Sequence, residues 1–168
     1  MWCESTLLCK GDPVHILAAA LLIGVIAGLR TFTAPAAVSW GARCGRISLV
    51  GTHLAFMGSI VTAVIFTLLA LAEIFAIDPN PKTPSRKAPP SFGARIVSGG
   101  FSGAVIGASG DSVWLGLLLG AVGAVIGTYA GAAFRGKLAA AFGKDLPAAI
   151  TEDAIAIIGA VLIVACLA

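Results

Sequence analysis

From Ser112 to Phe134 the chain runs twenty-three residues without a charge, and from Ile47 to Ala72 it runs twenty-six more. Runs of this kind suit helices that cross the roughly 30 Å of hydrocarbon in a bilayer, at about 20 residues per crossing. With 58% hydrophobic and only 11% charged residues, and a mean hydropathy of +1.00, the composition lies outside the soluble range, where about a quarter of residues are charged. The expected fold class is all-α, a polytopic membrane helix bundle forming a single domain over residues 1–168. There is room for about five transmembrane helices plus a short broken or re-entrant helix, with an N-terminal tail over residues 1–12.

Pro13 to Leu29 reads as the first span, ending at Arg30 and followed by Thr31-Phe32-Thr33-Ala34-Pro35, which interrupts the helical pattern. Ala36 to Arg46 is too short to cross and suits a half-helix. Ile47 to Ala72 reads as the second span, glycine-rich Ile96 to Gly110 as a short third, Ser112 to Phe134 as the fourth, and Pro147 to Ala168 as the last. Gly24 and Gly28, Gly99, Gly103 and Gly107, Gly116 and Gly120, and Gly123, Gly127 and Gly131 recur at four-residue spacing. Each set lies on one helix face, which allows close packing in lipid or a homo-oligomer contact.

The formal charge of +3 is small and the basic residues are scattered through loops, which excludes a nucleic-acid surface. The four cysteines form no Cys-x-x-Cys pair and have no histidine at metal spacing, so neither a metal site nor a disulfide framework is expected. The N-terminus lacks the basic and long apolar regions of a signal peptide, leaving the first helix to direct insertion. Counting basic residues by loop puts Lys10, Lys82, Arg86, Lys87, Arg95, Arg135, Lys137 and Lys144 on one side, and Arg30, Arg43 and Arg46 on the other. That balance predicts an inner (plasma) membrane protein with a cytoplasmic N-terminus and an external C-terminus.

Between residues 73 and 95 lie six of the chain's nineteen charges, around a polar, proline-rich loop over 79–93. Glu73 and Asp78 fall at the end of one span, Arg95 at the start of the next, and Arg135, Glu152 and Asp153 reach the same face from the far end of the sequence. Carboxylates inside a span are costly and carry ion sites, proton relays or partners. The candidate binding set is therefore Glu73, Asp78, Lys82, Arg86, Arg95, Arg135, Glu152 and Asp153. Pairing of Glu73 with Arg95, or of Asp153 with Arg135, would instead lock helix ends together.

Several segments together resemble a bacterial integral-membrane family, the domain of unknown function numbered 4126. They are Ala27-Gly28-Leu29-Arg30-Thr31-Phe32-Thr33-Ala34-Pro35, Glu73 to Asp78 leading into Pro81-Lys82-Thr83-Pro84, Ala94-Arg95 to Gly103, and Leu146 to Asp153. The likeness covers nearly the whole chain and implies an integral membrane protein without an assigned activity. The chain departs from the family at Arg30-Thr31-Phe32, where many members read Asn-Ala-Tyr, and at Pro79-Asn80-Pro81, which separates Asp78 from Lys82. Lys87-Ala88-Pro89-Pro90-Ser91-Phe92-Gly93 followed by Lys144-Asp145 and Glu152-Asp153 is also similar in order to motifs of A-type phosphatidylglycerophosphate phosphatases. There the loop reads Pro-Gly-Thr, and the acidic pair is Asp-Glu and binds magnesium.

The leading functional expectation is a small transporter or permease-like protein for an ion or small solute, since short, Gly- and Pro-interrupted helices with polar breaks are transporter features. The alternatives are a magnesium-dependent membrane enzyme acting on a phosphorylated lipid, with Lys82, Arg86 and Arg95 clamping phosphate, and a non-catalytic membrane scaffold. Membrane lipids are the expected partners, and the pattern specifies no cofactor.

Overall fold

A computed structural model describes residues 12–77, 89–142 and 145–167. Most of those residues are helical, with no strand among them. Helix α1 spans Pro13–Leu29, α2 Thr33–Arg43, α3 Ile60–Ala72, α4 Pro89–Ala108, α5 Val113–Phe142 and α6 Asp145–Ala165. A short 3-10 helix, Ala55–Gly58, precedes α3, and a π-helical turn, Glu73–Ile77, continues it.

Local chemistry sets these boundaries. Pro13 opens α1 in the first turn, where a missing N–H costs nothing. Arg30 ends α1 in an extended conformation, φ −135° and ψ 118°. Pro35, expected to break the helix, instead lies in the first turn of α2, a position that leaves no hydrogen bond unmade. The Ser59 hydroxyl accepts from the Val61 N–H and caps α3. Asp111, at φ 54°, makes the turn between α4 and α5, an excursion that aspartate tolerates better than most residues.

Successive helices alternate in direction. Helix α2 folds back from α1 to make a helical hairpin, and α3 returns along α2, with the Trp40 indole donating to Thr67 at 3.0 Å. Helices α4 and α5 are antiparallel, Gly103 facing Gly116 and Gly99 facing Gly120. Helix α1 runs parallel to α5. A Cβ on Gly24 would sit 2.1 Å from the Gly120 carbonyl oxygen, and one on Gly127 would sit 2.2 Å from that of Val25. These backbones touch, and only glycine permits the approach. Helix α6 descends beside both arms of the hairpin, with Val164 against Gly41 and Gly159 against Ile26.

Three expectations change here. Ile47 to Ala72 is not one span, because residues 44–59 fold in beneath α2 with Ile47, Leu49 and Met57 buried. An uncharged run does not distinguish a helix from a loop that packs inward, and Gly51, at φ +78°, and the Ser59 cap turn the chain there. Next, His15 and Leu22 of α1 share a cleft with Leu162 and Cys166 of α6. The start of α1 and the end of α6 are thus at the same end of the bundle, because the short α2 adds a reversal that the expected sidedness omitted. Finally, that reversal carries Arg30 to the end of the bundle that holds Glu73, Arg95 and Asp153, away from Arg43 and Arg46.

Among the described residues one helix, α5 over Val113–Leu138, is long and apolar enough to cross a membrane. Helices α1 and α3 are apolar but shorter. The core is apolar, but large apolar side chains also lie on the outside while several charged ones are buried. Leu68 is 60% exposed and Val161 59%, whereas Arg30 is 2% and Glu152 1% exposed.

Candidate functional site

The turn of the α1–α2 hairpin, residues 28–32, lies inside the bundle and not at its rim. Helix α5 meets it at Thr128 and continues to Phe142, about 21 Å farther at 1.5 Å per residue. Ending one helix and starting another within a few residues leaves carbonyls and amides without intrahelical partners. In a buried place each must find a side chain.

Arg95 and Glu73 supply most of them. The Arg95 Nη1 donates to the carbonyls of Gly28 at 2.6 Å and Leu29 at 2.7 Å, closing the end of α1. The Glu73 carboxylate accepts from the amides of Thr31 at 2.9 Å and Phe32 at 3.0 Å, closing the start of α2. The signs suit the helix dipoles, a cation at a C-terminus and an anion at an N-terminus. Ser98, three residues along α4 from Arg95 and on the same face, donates to the Thr31 carbonyl. The Thr128 hydroxyl bonds Ala124 in its own helix at 2.8 Å, with the Gly28 carbonyl 3.4 Å away.

One ion pair ties the tip to α6, and two more link the helices around it. Arg95 Nη2 stands 3.9 Å from Glu73 Oε1. The Arg30 guanidinium bonds Asp153 of α6 through Nε and Nη2, and Arg135 Nη1 of α5 stands 3.8 Å from Glu152 Oε2. Glu73, Arg95 and Glu152 are buried. Glu73 occupies the π-helical turn, where wider winding changes the register at which side chains leave α3, a feature frequent at functional sites.

The structure therefore brings together Glu73, Arg95, Arg135, Glu152 and Asp153 of the expected set. Asp78, Lys82 and Arg86 lie outside the described residues, as do residues 1–11 of the expected tail and 79–88 of the proline-rich loop. Glu73 does pair with Arg95, but Asp153 pairs with Arg30 while Arg135 faces Glu152. One residue along α6 turns a side chain about 100° around the helix axis, so spacing alone did not decide between adjacent acids. Arg30, Ser98 and Thr128 were missing from the set. Arg30 had a signal in closing an apolar run, and Ser98 in its three-residue spacing from Arg95. Thr128 had only its hydroxyl within an uncharged helix.

Beside the tip, a cavity of about 370 Å³ opens between α3 and α4, with walls that include Thr31, Phe32, Pro35, Phe66, Ser98 and Phe101. One turn along α4 from Ser98, the fully buried Ser102 hydroxyl has no hydrogen-bond partner among the described residues. Also among the described residues, no three His, Cys, Asp or Glu side chains converge as a metal-ligand group. No family model, curated protein or solved structure matches the chain.

Proposed function

We propose that the chain is a multi-pass integral membrane protein of the inner (plasma) membrane that moves an ion or small solute, with the hairpin tip as its polar site. The observation that carries the reading is a helical hairpin whose turn lies in the interior of the bundle, its helix ends held by buried charges, under an exterior of exposed leucine, isoleucine and valine. Large exposed apolar surfaces mark contact with a membrane or partner. Ionisable groups facing the interior of such a bundle mark solute paths, and interrupted helices supply their binding sites.

Taking Phe134, the last residue before Arg135, as the end of the apolar stretch of α5, the tip at Thr128 lies about 9 Å inside it. Glu73 occupies the place an anion would take at the N-terminus of α2, and Arg95 the place a cation would take at the C-terminus of α1. The arrangement is a closed state. The adjoining cavity, walled in part by Thr31 and Phe32 of the tip, supports a route to it. Gly24, Gly28, Gly99, Gly103, Gly116 and Gly120 meet neighbouring backbone within the chain, which supports internal packing over a dimer face for those glycines. The likeness to the membrane family numbered 4126 belongs to this proposal, and the residues carrying it include the hairpin tip.

The test is flux from proteoliposomes loaded with proton-, sodium- and chloride-sensitive dyes and with radiolabelled small solutes. Wild-type protein is expected to raise the flux of at least one probe above protein-free vesicles, and Glu73→Gln/Glu152→Gln to lower it at least tenfold. Equal flux across all probes from wild type, variant and empty vesicles would overturn the transport reading and leave the scaffold.

A further inference from the structure

The alternation of the helices sorts every connection of the chain to one end of the bundle or the other. Opposite the tip, Gly110 past the close of α4 lies against Ile16 of α1, and His15 shares its cleft with Cys166 past the close of α6. Residues 44–59 and the turn at Asp111 belong to that end too. The tip end holds the π-helical turn, the start of α4, the close of α5 and the start of α6. Contacts of Glu73, Arg95, Arg135 and Asp153 fix them there.

Basic residues then divide unevenly between the ends. Arg30, Arg95 and Arg135 face Asp153, Glu73 and Glu152 inside the bundle and are set aside. Of the rest, Lys82, Arg86 and Lys87 lie between α3 and α4, and Lys137 and Lys144 near the close of α5, all connected to the tip end. Lys10 precedes α1, and Arg43 and Arg46 close α2, at the other end. Restoring the three paired arginines, all near the tip, only widens the difference. Basic residues in short loops concentrate on the cytoplasmic side, and acidic residues weigh little in that count.

The tip is also off-centre. It lies about 9 Å from the level of Phe134, whereas the 17 residues of α1 extend about 25 Å the other way. The two distances together approach the roughly 30 Å of bilayer hydrocarbon. Over the longer one the interior is sealed, with Gly24 against Gly120, Gly103 against Gly116, and Ile23, Val105 and Ile106 fully buried.

We propose that the tip end faces the cytoplasm, which sets the charged cluster in the inner half of the membrane and the start of α1 and end of α6 outside. This inverts the orientation expected from the loops alone. The reversal made by α2 moves Lys10 out of the larger basic group and Arg30 into it. The inference rests on the membrane reading. A solute at the tip then exchanges with the cytoplasm over the shorter distance, and the sealed part stands between it and the outside.

Cys44 is exposed after the close of α2 and reports the outer end. In a Cys3→Ser/Cys9→Ser/Cys166→Ser chain it is the sole cysteine, and it is compared with Gly136→Cys, an exposed position of α5, in a chain lacking all four natural cysteines. Both are first shown to react with an impermeant maleimide in detergent, then labelled in intact and in permeabilised cells. Cys44 is expected to label at least about fivefold more than Gly136→Cys in intact cells, the difference vanishing on permeabilisation. The opposite pattern overturns the orientation and leaves the membrane reading standing, as does half-labelling of each, which marks insertion both ways. Full labelling of both in intact cells, or full protection of both until permeabilisation, puts the two ends in one compartment and overturns the membrane reading as well.

Discussion

Removing the Glu73 carboxylate tests whether the charged cluster holds the hairpin tip together. Glu73 is 6% exposed and accepts two backbone amides, Thr31 at 2.9 Å and Phe32 at 3.0 Å. A hydrogen bond to a charged acceptor contributes about 1.5–3 kcal/mol, so the pair is worth about 3–6 kcal/mol if additive. The contact with Arg95, at 3.9 Å, exceeds hydrogen-bond length but pairs two buried charges, so losing the carboxylate leaves the guanidinium without that counter-charge although it keeps its two carbonyls. Glu73→Ala should therefore cost about 3–5 kcal/mol, the range for breaking a buried charged contact. In Glu73→Gln the carboxamide oxygen still accepts one amide while its NH₂ opposes the other, and about half that loss is expected.

The assay is reversible unfolding in mixed micelles, joined to hydrogen exchange of a peptide covering Thr31 and Phe32. Stability should fall in the order wild type, Gln, Ala, and protection of the two amides should fall with it. Phe75→Ala is the control. It lies in the same π-helical turn but is 74% exposed, and should change stability by no more than about 0.5 kcal/mol. A Glu73→Ala protein within about 1 kcal/mol of wild type, with Thr31 and Phe32 still protected, would show that the carboxylate does not hold the tip.

Gly24→Ala places a Cβ 2.1 Å from a backbone oxygen of α5 and should cost about 2–3 kcal/mol by overpacking. Gly136→Ala meets nothing within 4 Å inside α5 and should stabilise by about 0.5–1 kcal/mol, so thermal unfolding should give opposite signs for the same chemical change. Arg30→Met and Asp153→Leu should each cost about 3–5 kcal/mol. The double variant should recover at least about 1 kcal/mol of the sum, as coupled residues do, and additivity in the same unfolding assay would deny the pair. In a background with the other cysteines replaced, Cys166 and a cysteine introduced at Asp12 should react with an impermeant maleimide from one side, and a cysteine at Gly136 from the other. Labelling of Asp12 and Cys166 from opposite sides would reverse the antiparallel arrangement of α1 and α6.

The demand for a charged cluster was legible in the sequence, but its wiring was not. The uncharged run from Ser112 to Phe134 does fall within one helix, α5, whereas the equally uncharged run from Ile47 to Ala72 divides into a partly buried loop and α3. Glu73 and Arg95 stand out because each is a lone charge at the edge of an apolar helix. The partner of Arg30 was hidden for a physical reason. Counting charges by loop assumes that a polar turn faces water, whereas this turn lies inside the bundle, where its carbonyls and amides are satisfied from α3, α4 and α5. Those donors and acceptors come from 41 to 100 residues away, a separation that no periodicity encodes. What the sequence does carry is the imbalance. An apolar helix that stops at Arg30 and restarts two residues before Pro35 creates orphan groups of both signs, and in a buried turn water does not satisfy them. A carboxylate for the amides and a guanidinium for the carbonyls must then come from other helices. In a chain with few charges outside its loops, Glu73 and Arg95 are the residues whose position and chemistry meet that need.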